Sequence, residues 1–551
     1  MEWSTACLDW ERRIVQRESL IGCPPLFPSV AEEAWAICSQ LRLIDVTGEP
    51  LLGEVSLPWL RDFVMAVFGS EDPETGRRHI NEYMLMVSKK NAKSTIAAAI
   101  MLCALIMNWR QSAELLILSP TKEIADNSYK PIRDFIKADE ELSALFKVQD
   151  YFRLITHNET GATLKVVAAD SDTVSGKKAS FVFVDELHEF GKQAKASNML
   201  LEATGGLTSR PEGFVIYATT QSAEPPAGVF LSKLRYARDV RDGIVEDRKF
   251  LPVIYEFPKA MLESKAYEEL ENAYITNPNW GASVDIERIT QLHSQAKSSG
   301  EQEFKEFLAK HLNVEIGLNL RSDRWAGADF WEGAVERVTW EQLIERCEVI
   351  CIGIDGGGLD DLLGFSAIGR CESTGCWLAF CKAWAHPSVL ERRKEIAPRL
   401  QDFARDGDLV LVQRIGEDMD QLAGMVAEVE DYGLLDKVGI DPGGIGGVLD
   451  ALVAAGVPQE KIIGISQGWR LGGSIKTAER KLAEGVLKHQ GSPMMAWCVG
   501  NAKVEPKGNA ILITKQASGT AKIDPLMALF NAVSLMSLNP EAQGGPGIYS
   551  L

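Results

Sequence analysis

A buried apolar strand, Phe181-Val182-Phe183-Val184, ends in two adjacent acids, Asp185 and Glu186. Upstream lies a lysine-bearing loop at 87–95 that itself joins a strand to a helix. This order (lysine loop, intervening strand, acid-ended strand) restricts the first half of the chain to a narrow set of folds. Strands are expected at 83–87, 115–118, 164–168, 181–184 and 214–218, with helices at 94–107 and 122–137. Strands that alternate with helices build a largely parallel sheet covered by helices. The expected class is α/β, with a P-loop ATPase of the ASCE type in front.

The loop carries the nucleotide chemistry. Val87, Ser88, Lys89, Lys90, Asn91, Ala92, Lys93, Ser94 and Thr95 form the expected phosphate-binding segment. Backbone N–H groups at the helix start would face the phosphates. Lys93 would reach the β- and γ-phosphates, and Ser94 and Asp185 would hold Mg²⁺. Glu186 would orient and deprotonate the attacking water. Neither glycine of the usual G-x-x-x-x-G-K-[ST] pattern is present, because Val87 and Ala92 take those places. A left-handed backbone at Ala92 would cost about 1–2 kcal/mol. After the strand at 214–218, Thr220 either senses the γ-phosphate or caps a turn. Arg133 and Arg153 are both candidates for the arginine that completes the site.

The second half opens with Val349-Ile350-Cys351-Ile352-Gly353-Ile354-Asp355, a strand closed by an aspartate. Asp361 precedes the next strand, at 362–369. Val438-Gly439-Ile440-Asp441 is another acid-ended strand, and Asp524 opens an apolar helix at 525–536. Aspartates far apart in sequence, each at a strand end or helix start, can converge on two Mg²⁺ or Mn²⁺ ions. Strand, hairpin, strand, helix is the order of an RNase H-like nuclease with a mixed sheet.

These residues resemble the large terminase subunits of tailed bacteriophages. In the first half the resemblance is carried by Leu57-Pro58-Trp59, Phe68-Gly69, Arg77-Arg78, Lys90-Asn91-Ala92-Lys93-Ser94, Ser119-Pro120-Thr121-Lys122 and Asp185-Glu186-Leu187-His188. In the second it is carried by Arg324-Trp325, Phe330-Trp331, Gly353-Ile354-Asp355, Asp441-Pro442 and Lys522-Ile523-Asp524-Pro525. Leu60 stands where that family usually has an adenine-contacting glutamine. The resemblance implies ATP-driven movement of double-stranded DNA into a procapsid and metal-dependent cutting of concatemeric DNA. It implies Asp355, Asp441 and Asp524 as metal ligands, with Asp361 an auxiliary acid. It also implies a pentameric ring on a portal protein, with a small terminase subunit choosing the cutting site.

The expected organisation is an N-terminal extension at 1–55, an ATPase core at 56–250, a helical lid or linker at 251–340, the nuclease at 341–539 and a loose tail at 540–551. A chain of 551 residues is too long for one ordinary core. The apolar run at 96–107 is too short to span a bilayer, and residues 1–20 are too charged for a signal peptide. Host cytoplasm is the expected location, outside the mature virion. Ten cysteines read as core residues; the spacing of Cys371, Cys376 and Cys381 fits no zinc pattern. A net charge of −19 excludes a simple DNA-coating protein and leaves room for local basic patches. Lys89, Lys90, Arg392, Arg393, Lys476, Arg480 and Lys481 are candidates for such contacts, or a solvated face. Two rivals stay open: a helicase-like repair motor with an attached nuclease, and an assembly protein whose ATP site has degenerated.

Overall fold

The computed structural model describes residues 2–169, 179–193, 196–316, 325–441, 446–507, 510–515 and 522–542. It separates into two compact units, Met1–Ile316 and Gly317–Leu551. Arg324, Pro442 and the tail beyond 542 lie outside the described residues.

The first unit is built on eight strands: β1 (Glu82–Met86), β2 (Glu114–Ser119), β3 (Phe146–Gln149), β4 (Leu154–His157), β5 (Thr163–Ala168), β6 (Ala179–Val184), β7 (Phe214–Thr219) and β8 (Phe250–Ile254). Their order is β3-β4-β5-β2-β6-β7-β1-β8. The run from β5 to β8 is parallel throughout, and the β3–β4 hairpin joins β5 antiparallel. Every residue of β6 and β7 is buried. These strands are covered on both faces, which is why they read as continuous apolar runs. The helix Lys93–Ile106 is likewise apolar all round. Its back is closed by the helix Pro28–Ser39, where Cys38 and Cys103 exchange weak bonds with carbonyls of the facing helix.

The segment before β1, for which the sequence suggested no helix, is helical. Helices Trp10–Gln16, Pro28–Ser39, Leu52–Val55 and Pro58–Phe68 occupy it. Pro28 and Pro58 stand in the first turn of their helices, where a missing N–H costs nothing. Three strands also escaped the sequence reading. β8 contains Pro252, which a sheet edge tolerates and which hides the strand signal. The helical stretch before the boundary is a pair, Ile286–Ser299 and Glu301–Leu312, broken at Gly300 with φ +129°.

The second unit carries β9 (Cys347–Gly356), β10 (Leu363–Cys371), β11 (Trp377–Ala385), β12 (Leu409–Leu411), β13 (Leu435–Ile440), β14 (Ile462–Gly464) and β15 (Leu487–His489). The main order is β12-β11-β10-β9-β13-β14, with β15 pairing β11. β9, β10 and β11 form an antiparallel meander, while β13 joins β9 in parallel and β14 joins β13 in parallel. β16 (Ala502–Lys507) and β17 (Ala510–Lys515) make a separate hairpin. The apolar helix Asp524–Met536 lies across β9 and β10, and two glycines let it come close. A Cβ at Gly353 would stand 2.0 Å from Ala528 O, and one at Gly364 would stand 2.7 Å from the Asp524 carbonyl carbon. Trp325 and Trp331, which the sequence reading placed in the linker, are core residues of this unit. Trp331 stacks on His489 at 4.0 Å.

The ten cysteines are free, and all but Cys376 are buried. Among the described residues no helix is long and apolar enough to cross a membrane.

Candidate active sites

In the first unit the lysine loop leaves β1 and enters the helix Lys93–Ile106. Ala92, the residue before that helix, is left-handed with φ +59°. The conformation is the one a glycine would supply, so the turn survives without the glycine. A polar scaffold compensates. Asn91 is fully buried and donates to Ser88 O (3.1 Å) and Asn277 Oδ1 (2.9 Å), while its own Oδ1 accepts from Asn279 N–H (3.0 Å). Ser88 N–H donates to Thr276 O, Lys89 N–H to Lys310 O, and Ser283 Oγ to Lys90 O. The segments around 276–283 and 310 therefore hold the loop from outside.

Lys93 is buried and its Nζ lies 3.5 Å from Val87 O and Ser88 O. The same nitrogen is 3.9 Å from Glu186 Oε1. Parallel pairing of β2 with β6 sets Asp185 beside the end of β2, where its N–H donates to Leu118 O (2.9 Å). Asp185 Oδ2 accepts from Ser128 Oγ at 2.7 Å. Burial, reinforced by the Glu186 charge, raises the Asp185 carboxyl above its ordinary value. Glu186 shares that burial, but the nearby Lys93 ammonium and the His188 ring outweigh it and hold this carboxyl low. The arrangement leaves Glu186 ionised, as a base must be.

Three side-chain oxygens, Asp185 Oδ1, Ser88 Oγ and Ser119 Oγ, are buried without a hydrogen-bond partner among the described residues. Buried polar atoms are ordinarily paired, so this oxygen-rich cluster suits a hydrated divalent ion and phosphate. Ser94 and Thr95 follow Lys93 on the helix and are partly exposed. Thr220 is buried at the end of β7, its Oγ1 3.5 Å from His188 Nδ1. His188 also approaches Glu186 Oε2 (3.3 Å), Glu189 Oε1 (3.1 Å) and Thr219 Oγ1 (3.2 Å). It links the acid pair to the strand that follows, a role the sequence reading did not assign. Its place two residues after Glu186 was the available signal. Asn277 and Asn279 gave none, because their partner Asn91 is far away in sequence. Arg133 pairs with Asp134 and Arg153 with Asp126.

In the second unit the acids gather at one sheet edge. β13 runs parallel to β9 with Ile440 opposite Ile354, so Asp441 follows beside Asp355. Across the hairpin Asp355 faces Gly364, and Gly364 touches the Asp524 backbone. A Cβ on Gly356, whose φ is +87°, would meet Asp524 Cβ at 3.2 Å. Three of the four expected ligands thus converge through their backbones. Asp361 is engaged by Lys522, whose Nζ lies 2.5 Å from Asp361 Oδ1 and donates to Asp360 O at 3.0 Å. Arg393 pairs with Asp360 Oδ2 at 3.1 Å. Lys522 is buried, and its carbonyl accepts from Asn501. Among the described residues no three His, Cys, Asp or Glu side chains already stand as a metal-holding group. The donor set, all carboxylate oxygen at strand ends, a turn and a helix start, nonetheless has the chemistry that Mg²⁺ and Mn²⁺ require. Lys522 and Asn531, which donates to Ile354 O at 2.9 Å, are the residues sequence reasoning left without a role here.

Comparison with known proteins matches both units. A model of the terminase large subunit ATPase domain covers residues 58–225, and a model of the terminase large subunit endonuclease domain covers residues 255–539. The terminase large subunit of Enterobacteria phage HK97 is 21% identical over 519 residues, 93% of this chain and 95% of that protein. Protein YmfN of Escherichia coli (strain K12) is 22% identical over 371 residues, 65% of this chain and 77% of that one. The crystal structure of the HK97 bacteriophage large terminase superposes with a TM-score of 0.49 at 19% identity, covering 92% of this chain and 99% of that one.

Proposed function

The chain belongs to the terminase large-subunit family, with an ATPase and an endonuclease domain, and on that premise we propose how its own residues divide the work. ATP is bound by the loop from Val87 to Thr95, with Lys93 on the β- and γ-phosphates. Ser94 and Asp185 hold the Mg²⁺ that accompanies the nucleotide, and Glu186 takes the proton of the attacking water. Thr220 senses the γ-phosphate, and His188 ties that end of β7 to Glu186. Hydrolysis drives double-stranded DNA into an empty viral shell. The observation that carries this reading is the meeting of Lys93, at the start of the helix after β1, with Glu186, which follows Asp185 at the end of β6.

In the second unit Asp355, Asp441 and Asp524 would hold two Mg²⁺ or Mn²⁺ ions, with Asp361 as an auxiliary acid kept in place by Lys522. Such ions supply charge neutralisation at the scissile phosphate and an activated water. The chain's own part is to fix the carboxylates at one edge. Concatemeric DNA is the substrate. A portal protein, a small terminase subunit and a pentameric ring of this chain complete the machine, which works in the host cytoplasm.

DNA-stimulated phosphate release tests the motor half. Lys93→Ala should weaken nucleotide binding, whereas Glu186→Gln should spare binding and abolish turnover. A Glu186→Gln protein that hydrolyses ATP at the wild-type rate removes Glu186 as the base. Wild-type protein that binds DNA yet releases no phosphate supports an assembly protein with a degenerate site.

A further inference from the structure

An exposed aromatic–arginine pair stands on the loop that leaves β14, at the edge of the sheet that carries the acids. β14 runs parallel to β13, and β13 to β9, so this loop leaves by the same edge as Asp355 and Asp441. Ile465 N–H donates to Ile440 O at 2.8 Å, tying the start of the loop to the residue before Asp441. Gln467 Nε2 donates to Asn531 Oδ1 (3.0 Å) and Ile465 O (3.1 Å). Asn531 in turn donates to Ile354 O, the residue before Asp355. The loop is therefore anchored to both acid-bearing strands through a buried asparagine.

Past the anchor, Gly468 turns the chain with φ +70°, and Trp469 emerges 54% exposed. The Arg470 guanidinium carbon lies 5.4 Å from its ring centre. Among the described residues no carboxylate pairs with Arg470. In a chain with a net charge of −19, an unneutralised arginine stacked on an exposed tryptophan at this edge calls for an anionic, stackable ligand. Nucleic acid offers both properties: aromatic rings take base or sugar faces, and arginine takes phosphates.

We propose that Trp469 and Arg470 hold the DNA beside the cut. Trp469 lays its ring against the nucleotide next to the scissile phosphate, and Arg470 binds a phosphate of the same strand. The proposal rests on the nuclease reading above and makes these two positioning residues. They touch the substrate outside the acids and set where it sits.

The test uses the full chain with Trp469→Ala, Trp469→Phe and Arg470→Ala. Plasmid nicking with Mn²⁺ is followed over DNA concentration, and binding of a labelled duplex without metal is followed over salt. Trp469→Ala should raise the DNA concentration for half-maximal cutting about tenfold, with the rate at saturating DNA little changed. Trp469→Phe should recover most of the loss. Arg470→Ala should reduce the slope of log affinity against log salt by about one. DNA-independent ATPase activity, carried by the other unit, should stay at the wild-type level in all three. Unchanged half-saturation and salt slope overturn the proposal, as does a fall in saturated rate alone. If wild-type protein never cuts, the nuclease reading falls separately. Duplex binding then decides: weaker binding by Trp469→Ala and Arg470→Ala keeps the DNA contact, and equal binding removes it.

Discussion

Ala92 takes up the left-handed backbone that the missing glycine of the phosphate-loop pattern would supply. Its left-handed backbone carries a cost that glycine would not, about 1–2 kcal/mol. The buried Asn91, with Asn277 and Asn279, offsets that strain by fixing the loop on both sides. Ala92→Gly should therefore fold normally and bind ATP at least as tightly as wild type, gaining up to about tenfold if the strain is fully released. Calorimetric titration with a non-hydrolysable ATP analogue measures this. Weaker binding in Ala92→Gly would mean that the methyl group itself supports the loop. The residues proposed to act directly were legible: Lys93, Asp185 and Glu186 stand in motifs. The residues that contact the expected site acids were not. His188 and Lys522 work through contacts whose partners are set by strand register, and one sequence does not reveal register.

At the scale of elements, the sequence revealed what is apolar and continuous. The central strands of the first unit and the helix Lys93–Ile106 are buried on all sides, so composition alone marks them. β8 was hidden by Pro252, and two of the helices before β1 begin with proline, a residue that reads as a turn. The segment after 325 was hidden for another reason. Trp331 is held in the core of the second unit by tertiary packing, including its stacking on His489, at the end of β15. That histidine makes a testable electrostatic element. Its Nε2 donates to Trp331 O (2.8 Å) and its Nδ1 accepts from Gly491 N–H (3.1 Å), which fixes the neutral ring. Burial depresses its pKa to about 4, against 6.5 when unfolded. The unfolded chain thus binds the proton more readily between these values. The contribution to stability is complete above about pH 6.5 and is lost as pH falls toward 4, amounting to about 3 kcal/mol. His489→Gln keeps a donor and an acceptor but does not titrate. Its melting temperature should drop less than that of wild type between pH 7 and pH 5. Parallel pH profiles for the two proteins would show that the ring is not the titrating group.

For the whole molecule, the two acid-bearing edges lie in separate compact units, so their activities should be separable by mutation. Asp355→Ala removes one carboxylate from an edge whose chemistry depends on concentrated negative charge. Cutting of plasmid DNA should then fall by orders of magnitude, with ATP hydrolysis unaffected because Lys93, Asp185 and Glu186 are untouched. Lys93→Ala should give the opposite pattern in metal-dependent cutting without ATP. Mg²⁺ or Mn²⁺ should support cutting and Ca²⁺ should not, because its looser coordination serves in-line displacement poorly. The same Asp355→Ala protein should bind labelled duplex as well as wild type, since Trp469, Arg470 and the basic residues remain. If Asp355→Ala still cuts at the wild-type rate with Mn²⁺, the gathered aspartates are a structural feature of the sheet edge and the nuclease chemistry lies elsewhere. If it loses ATPase activity as well, the units are energetically coupled, and the motor and the cutter must be treated as one machine.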